Sequence, residues 1–162
     1  MLALKPVDEV CIERALRLAA QSLFLSNPNP RVGCVLVGVD GQVIGEGHTQ
    51  RAGGPHAEVM ALAQARERGQ ATAGATAYVT LEPCSHHGRT GPCCEALIAA
   101  GITRVVASIE DPNPKVSGRG FDRLRAAGIA VETGPGAAQS RELNIGFFSR
   151  MQRGVPWVRV KT

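Results

Sequence analysis

The chain has 162 residues, enough for one domain with a substantial hydrophobic core. Its 44% hydrophobic and 20% charged residues are typical of a globular protein, and no apolar stretch approaches the roughly 18 residues of a membrane helix. The net charge of +4 suits an anionic substrate such as a phosphate ester, and it is also compatible with weak nucleic-acid contact. Four Phe, one Tyr and one Trp are few for a surface that stacks successive bases, which argues against extended single-strand binding.

Hydrophobic periodicity and turn residues predict helices and strands along the whole chain. The predicted helices are residues 8–25, 56–68, 94–100, 121–127 and 139–151. The predicted strands are residues 32–39, 42–47, 75–81, 104–109 and 129–132, and residues 155–161 look like the start of another strand. Asp40-Gly41 is a hairpin signal between the first two strands.

An early antiparallel pair followed by alternating strands and helices predicts an α/β sandwich with a mixed sheet. The strand order stays open at this point. The first eight residues lack the basic and then apolar layout of a secretory signal, so we expect a cytoplasmic location and no membrane partner. In such a reducing compartment disulfides are a poor explanation for the five cysteines. Metal ligation, catalysis and packing remain as explanations.

Three residues have the chemistry of zinc ligands: His56, Cys84 and Cys93. One imidazole and two thiolates leave a fourth position for water, and two thiolates neutralise Zn²⁺. Glu58 lies two residues after His56, so it cannot readily bind the same metal from a regular helix. It can still reach a water activated there and carry its proton to a leaving amine.

The predicted positions of these residues support a preorganised site. His56 follows Pro55 at the start of one predicted helix, and Cys93 follows Pro92 at the start of another. A helix N-terminus stabilises a thiolate and favours a nearby anion. His-Ala-Glu followed later by Pro-Cys reproduces much of the zinc-deaminase signature.

Residues 80–93, TLEPCSHHGRTGPC, closely resemble the zinc segment of the riboflavin-biosynthesis pyrimidine deaminases of the zinc-dependent cytidine/deoxycytidylate deaminase superfamily. These deaminases form the N-terminal domain of bifunctional deaminase–reductases. Further segments that resemble the same family are residues 29–33, 55–58, 111–114 and 118–120. The resemblance runs from about residue 8 to residue 161.

The resemblance implies a cytidine-deaminase-like fold, a three-layer α/β/α sandwich with a mixed central sheet, over residues 1–150. It implies one Zn²⁺ per chain and a small phosphorylated pyrimidine substrate. The implied reaction replaces the 2-amino group of 2,5-diamino-6-ribosylamino-4(3H)-pyrimidinone 5′-phosphate by oxygen and releases ammonia. Residues 151–162 would resemble the linker and first strand of an absent reductase domain, which is either separate or covalently linked. A homo-oligomer is also expected.

By the same resemblance, Asn29 would contact the pyrimidine. Four residues would line the ribose and phosphate side: His86, Arg89, Asp111 and Asn113. The planar guanidinium of Arg89 suits a phosphate. His48 is a further candidate for substrate binding, although it lies eight residues before His56 where relatives often have a His seven residues before theirs.

Two alternatives stay open. A nucleic-acid base deaminase would use the same metal chemistry, but the eight residues between Cys84 and Cys93 and the few aromatic residues argue against it. A structural zinc module would close the fourth position with a ligand such as Cys94 or His86. Packing is the better explanation for Cys11, Cys34 and Cys94.

Overall fold

The computed structural model describes residues 4–86 and 91–161. Five strands form one sheet in the order β2-β1-β3-β4-β5. They are β1 (Gly33–Val37), β2 (Val43–His48), β3 (Thr76–Val79), β4 (Arg104–Ala107) and β5 (Ala130–Thr133). β1 runs antiparallel to β2 and to β3, whereas β3, β4 and β5 are parallel. The predicted mixed sheet with an antiparallel pair at its start is therefore confirmed.

Helices cover both faces of this sheet. They are α1 (Pro6–Ala20), α2 (Ala57–Glu67), α3 (Cys93–Ala99), α4 (Arg119–Ala126), α5 (Ala137–Leu143) and α6 (Ile145–Arg153). The strands alternate their side chains between two apolar clusters, as the period of two requires. Val35 and Val37 of β1 pack with α1 residues such as Ile12. Leu36 packs in the other cluster with α2 residues such as Ala61. The three-layer α/β/α sandwich is confirmed.

Glycines on β2 set the distance to α2. A Cβ atom at Gly45 would lie 2.2 Å from the carbonyl oxygen of Ala61, and one at Gly47 would lie 2.4 Å from that of Ala57. Side chains at these positions would push the helix away from the sheet, so glycine permits close contact between the two backbones. The start of α2, where His56 and Glu58 lie, is thereby held against β2.

A buried ionic network joins α1 to β3, β4 and β5 on the face of the sheet that α1 covers. The guanidinium of Arg104 on β4 binds both carboxylate oxygens of Asp8, at 2.8 Å each, and also pairs with Glu132 on β5. The hydroxyl of Tyr78 donates to Asp8 at 2.9 Å, and Asp8 also accepts the backbone N–H of Lys5 at the start of α1. This charge pair and its hydrogen bonds lower the pKa of Asp8 to about 2.

Two predictions about the helices were wrong. The first helix ends at Ala20 and continues as turns, not as helix to residue 25. The last predicted helix is two helices, α5 and α6, because Asn144 between them turns its side chain onto the backbone of Arg31. Residues 155–161 do not pair with any described strand. Trp157 in this segment is 44% exposed, so it is not a core residue.

None of the helices within residues 4–86 and 91–161 is long and apolar enough to cross a membrane.

Candidate metal centre and active site

Three donor atoms meet where two helices begin. His56 is the extended residue before α2, Cys93 is the first residue of α3, and Cys84 lies in the loop after β3. The Nδ1 atom of His56 is 3.2 Å from the Sγ atom of Cys93 and 3.6 Å from that of Cys84. The three donor atoms all lie within 4.8 Å of one another. The structure thus brings the three predicted ligands together.

The donor set and its spacing fit a tetrahedral zinc ion. Zinc bonds of about 2.0 Å to nitrogen and about 2.3 Å to sulfur would place these two atoms about 3.5 Å apart at the tetrahedral angle. The observed separations of 3.2 and 3.6 Å are close to this value. Within the part of the chain that the structure describes, no fourth His, Cys, Asp or Glu joins the cluster. Neither Cys94 nor His86 belongs to it. Three protein donors are the number typical of catalytic zinc sites, which keep a fourth position for water.

The two thiols differ in their protonation. The hydrogen bond from the Cys93 thiol is the largest cause of a lowered pKa at Cys84, and the His56 ring and the Cys93 backbone N–H, 3.3 Å from the Cys84 Sγ atom, lower it further. The pKa of Cys93 is raised because it shares this proton with Cys84 and because it is buried. The cluster therefore favours a thiolate at Cys84, which attracts a cation.

Glu58 lies beside the cluster without joining it. It occupies the first turn of α2, is only 3% exposed, and lines the same cavity as His56 and Cys84. Burial raises the pKa of its carboxyl to about 7, and the negative charge at Cys84 acts in the same direction. A carboxyl group that titrates near neutral pH can both accept and return a proton.

One cavity of about 180 Å³ joins these groups to most of the predicted substrate residues. Asn29, His86, Asp111 and Asn113 all line it. Burial raises the pKa of Asp111 to about 6. Arg89 and the neighbouring His87 lie outside the described residues.

His48 is placed differently from the other predicted contacts. It is not among the residues that line the cavity, and its Nδ1 atom lies 3.1 Å from the Ser22 hydroxyl and 3.2 Å from the Thr49 carbonyl oxygen. Thr49 lines the cavity instead, and it occupies the place seven residues before His56 where relatives often have a His. Thr49 follows β2, and its hydroxyl accepts the backbone N–H of Val32 at 3.1 Å.

Further residues of the cavity wall were not predicted. The apolar part is formed by Pro30, Val32, Leu81, Val116 and Phe147. Phe147 comes from α6, and no local pattern connects it to a site that begins at residue 29. Glu82 also lines the cavity, and its position directly before Pro83-Cys84 was the available signal.

The remaining cysteines are buried, as predicted. Cys11, Cys34 and Cys94 are each less than 10% exposed and belong to the two apolar clusters. Burial raises the pKa of Cys94 to about 11, so it stays a neutral thiol.

The model of the cytidine and deoxycytidylate deaminase zinc-binding region matches residues 5–109. The chain is 58% identical over 154 residues to the riboflavin biosynthesis protein RibD of Escherichia coli, covering 95% of this chain and 41% of that protein. It is 50% identical over 149 residues to the diaminohydroxyphosphoribosylamino-pyrimidine deaminase of Buchnera aphidicola subsp. Acyrthosiphon pisum, covering 92% of this chain and 99% of that protein.

A solved structure of Acinetobacter baumannii RibD superposes with a TM-score of 0.86 at 51% identity, over 93% of this chain and 41% of that one. The chain thus spans about two fifths of the length of the RibD proteins, but nearly all of the shorter Buchnera deaminase. The matched region contains His56, Glu58, Cys84 and Cys93. The His and Cys donors of this region form one cluster beside a buried carboxyl group, as a zinc-binding region requires. These matches show that the chain belongs to the cytidine and deoxycytidylate deaminase family and contains its zinc-binding region.

Proposed function

We propose that this chain is a zinc-dependent hydrolase that deaminates 2,5-diamino-6-ribosylamino-4(3H)-pyrimidinone 5′-phosphate. The products would be 5-amino-6-ribosylamino-pyrimidinedione 5′-phosphate and ammonia, at an early step of riboflavin biosynthesis. The observation that carries the proposal is the cluster of His56, Cys84 and Cys93 at a cavity that His56, Cys84 and Glu58 line. The choice of substrate is supported by the name of the Buchnera relative, which is similar to this chain over nearly its whole length.

His56, Cys84 and Cys93 would hold one zinc ion per chain, since they form one cluster with matching donors. When bound, the ion would lower the pKa of a water molecule to about 7 and so supply a nucleophile at neutral pH. The backbone N–H of Cys93 helps to hold Cys84 as a thiolate for this role.

Glu58 would move the protons of the reaction. It takes one proton from the attacking water as oxygen adds to C2 of the pyrimidine. It then gives a proton to the 2-amino nitrogen, so that the C–N bond breaks with ammonia as the leaving group. The remaining proton of the C2 hydroxyl passes to the ring nitrogen, which leaves a C2 carbonyl. Burial of Glu58 favours this cycle, because neither of its protonation states is strongly preferred near neutral pH.

The cavity wall would orient the substrate. The amide of Asn29 would bind the edge of the pyrimidine, while His86, Asp111 and Asn113 would face the ribose. Arg89 would bind the phosphate, and this assignment follows from the family resemblance. A cavity of about 180 Å³ is large enough for a single pyrimidine ring with part of its substituents.

The direct test is ammonia release from this substrate by the purified chain, with and without a chelator. Glu58→Gln should keep its zinc and lose about 10³-fold in kcat, because the proton carrier is removed and the metal ligands are not. Glu67→Gln is the matched control: Glu67 is an exposed carboxylate at the other end of α2, and this variant should keep full activity.

Full activity of Glu58→Gln would disprove the proposed mechanism. Ammonia release from tRNA, but not from the pyrimidine phosphate, would favour a nucleic-acid base deaminase. Zinc binding with no water exchange at the metal would favour a structural module instead.

We further infer that the deaminase domain extends to about residue 150, since Phe147 contributes to its cavity. Residues 151–162 would resemble the linker to a reductase domain and its first strand. That reductase would act on the product, and it would be either covalently linked to this chain or a separate protein. We expect a homo-oligomer, which sedimentation of the purified chain would test.

A further inference from the structure

Glu82 is a buried carboxylate whose partners are all backbone N–H groups. It is 4% exposed, and no Lys, Arg or His forms an ion pair with it among residues 4–86 and 91–161. Its Oε2 atom accepts the N–H of Asp111 at 3.1 Å and that of Gly118 at 3.0 Å. Its Oε1 atom accepts the N–H of Gly120 at 2.8 Å and, more weakly, that of Phe121 at 3.4 Å.

Two of these donors are the first and last residues of one loop, residues 111–118, and the other two lie in the first turn of α4. Asp111 begins the loop and Gly118 ends it, directly before α4. Within the loop, Asp111 Oδ1 accepts the N–H of Asn113 at 2.8 Å, and Asn113 Oδ1 accepts that of Lys115 at 3.1 Å. The direction of the Asp111 and Asn113 side chains at the cavity therefore depends on a chain of hydrogen bonds that starts at Glu82.

The first turn of α4, which follows this loop, lies in close contact with the segment that contains Glu82. A Cβ atom at Gly120 would lie 2.0 Å from the carbonyl oxygen of Pro83 and 3.0 Å from Oε1 of Glu82. The start of α4 thus lies directly against the segment that carries Glu82 and Cys84. A glycine is needed there because any side chain would separate the two.

We propose that Glu82 is a positioning residue, which fixes the loop of residues 111–118 so that Asp111 and Asn113 can bind the ribose and phosphate part of the substrate. The inference rests on the proposed function for the identity of this substrate. Glu82 acts through the loop rather than on the reacting atoms, so its loss should weaken substrate binding much more than it slows the chemical step.

The test compares Glu82→Gln with the wild type, both as the zinc-loaded full chain. The Gln side chain has nearly the same shape, but its NH₂ group would face two N–H donors where the carboxylate has an acceptor. We expect unchanged zinc content, a KM raised by about tenfold or more, and a kcat within about threefold of the wild type. Hydrogen exchange at residues 109–121 should become faster while the rest of the sheet stays protected.

Glu132→Gln is the matched control. Glu132 is a buried carboxylate on β5, 6% exposed and bound to Arg104, away from the cavity. This variant should lower Tm and leave KM unchanged. If KM rises in Glu82→Gln but not in Glu132→Gln, the rise comes from loss of substrate positioning and not from a general loss of stability.

An unchanged KM and unchanged exchange in Glu82→Gln would overturn the inference. If that variant does not fold, Glu82→Asp replaces it: the carboxylate is kept but withdrawn by one methylene, and a KM within twofold of the wild type would equally overturn the inference. Failure of the proposed function shows itself separately, as a lack of ammonia release by the wild type, while the exchange measurement still tests whether Glu82 holds the loop.

Discussion

Cys93 and Cys94 are neighbours in the chain, and both are fully buried. Successive residues of a helix point about 100° apart. Cys93 therefore faces His56 and Cys84, whereas Cys94 turns into the apolar cluster beneath α3. Of these two adjacent residues, Cys93 is the proposed metal ligand and Cys94 is a packing residue.

Replacing these two cysteines one at a time should give different outcomes. Cys93→Ala should lower the zinc content from about one per chain to less than about a tenth, because two ligands do not hold the ion firmly. Cys94→Ala should keep its zinc and lose only about 1 kcal/mol of stability from the small space it leaves. Metal analysis of the two purified variants measures this directly. Zinc retained by Cys93→Ala would show that the ligand set is different.

At the scale of elements, the contact of α2 with β2 places His56 and Glu58. Gly47 has no room for a side chain, because a Cβ atom would lie 2.4 Å from the backbone of Ala57, the first residue of α2. A shift of this helix would move the proposed metal ligand His56 and the proposed proton carrier Glu58 together. The proposed catalysis therefore depends on the position of the helix start.

Gly47→Ala should lower kcat by about tenfold or more, because small misplacements of catalytic groups are costly. It should also lower the free energy of unfolding by about 1–3 kcal/mol, as overpacking does. Gly146→Ala is the matched control: nothing lies within 4 Å of its Cβ position on α6, so stability should be equal or slightly higher. Steady-state kinetics and thermal unfolding of both variants provide the measurement, and normal kcat in Gly47→Ala would contradict the argument.

The order of helices and strands was predicted well from the sequence. The sequence also predicted that His56, Cys84 and Cys93 come together. His56 and Cys93 follow prolines at helix starts, which is a local pattern that one chain reveals. The break at Asn144 could not be predicted, because its cause is a set of hydrogen bonds to Arg31, 113 residues away in the chain. For Glu82 and Thr49 the sequence shows only their spacing from Cys84 and His56, whereas their backbone partners are brought close by the fold.

At the scale of the whole molecule, Asp8 connects the first helix to the centre of the sheet through Arg104 and Tyr78. The pKa of Asp8 in the folded chain, about 2, is lower than its ordinary value of 3.8. The stability that this shift supplies is fully present above pH 3.8 and is lost as the pH falls toward 2.

Asp8→Asn should lower the free energy of unfolding at pH 7 by about 3 kcal/mol, because a buried ion pair is broken. The difference from the wild type should shrink by about 1 kcal/mol between about pH 5 and pH 3, since Asp8 begins to lose its advantage there. Denaturant titrations at several pH values would measure it. The neighbouring exposed Glu9→Gln should show almost no difference at any pH, and a gap for Asp8→Asn that stays constant with pH would refute the assignment.

The hydrogen bonds between Asn144 and Arg31 connect α6 to the cavity wall. The side chain of Asn144 accepts the N–H of Arg31 at 2.7 Å and donates to the Arg31 carbonyl oxygen at 2.9 Å, so it pairs with that backbone as a neighbouring strand would. Asn29 lies two residues before Arg31, and Phe147 lies three residues after Asn144, on the same cavity. A displacement of α6 would therefore be passed through Asn144 to the part of the cavity wall that carries Asn29.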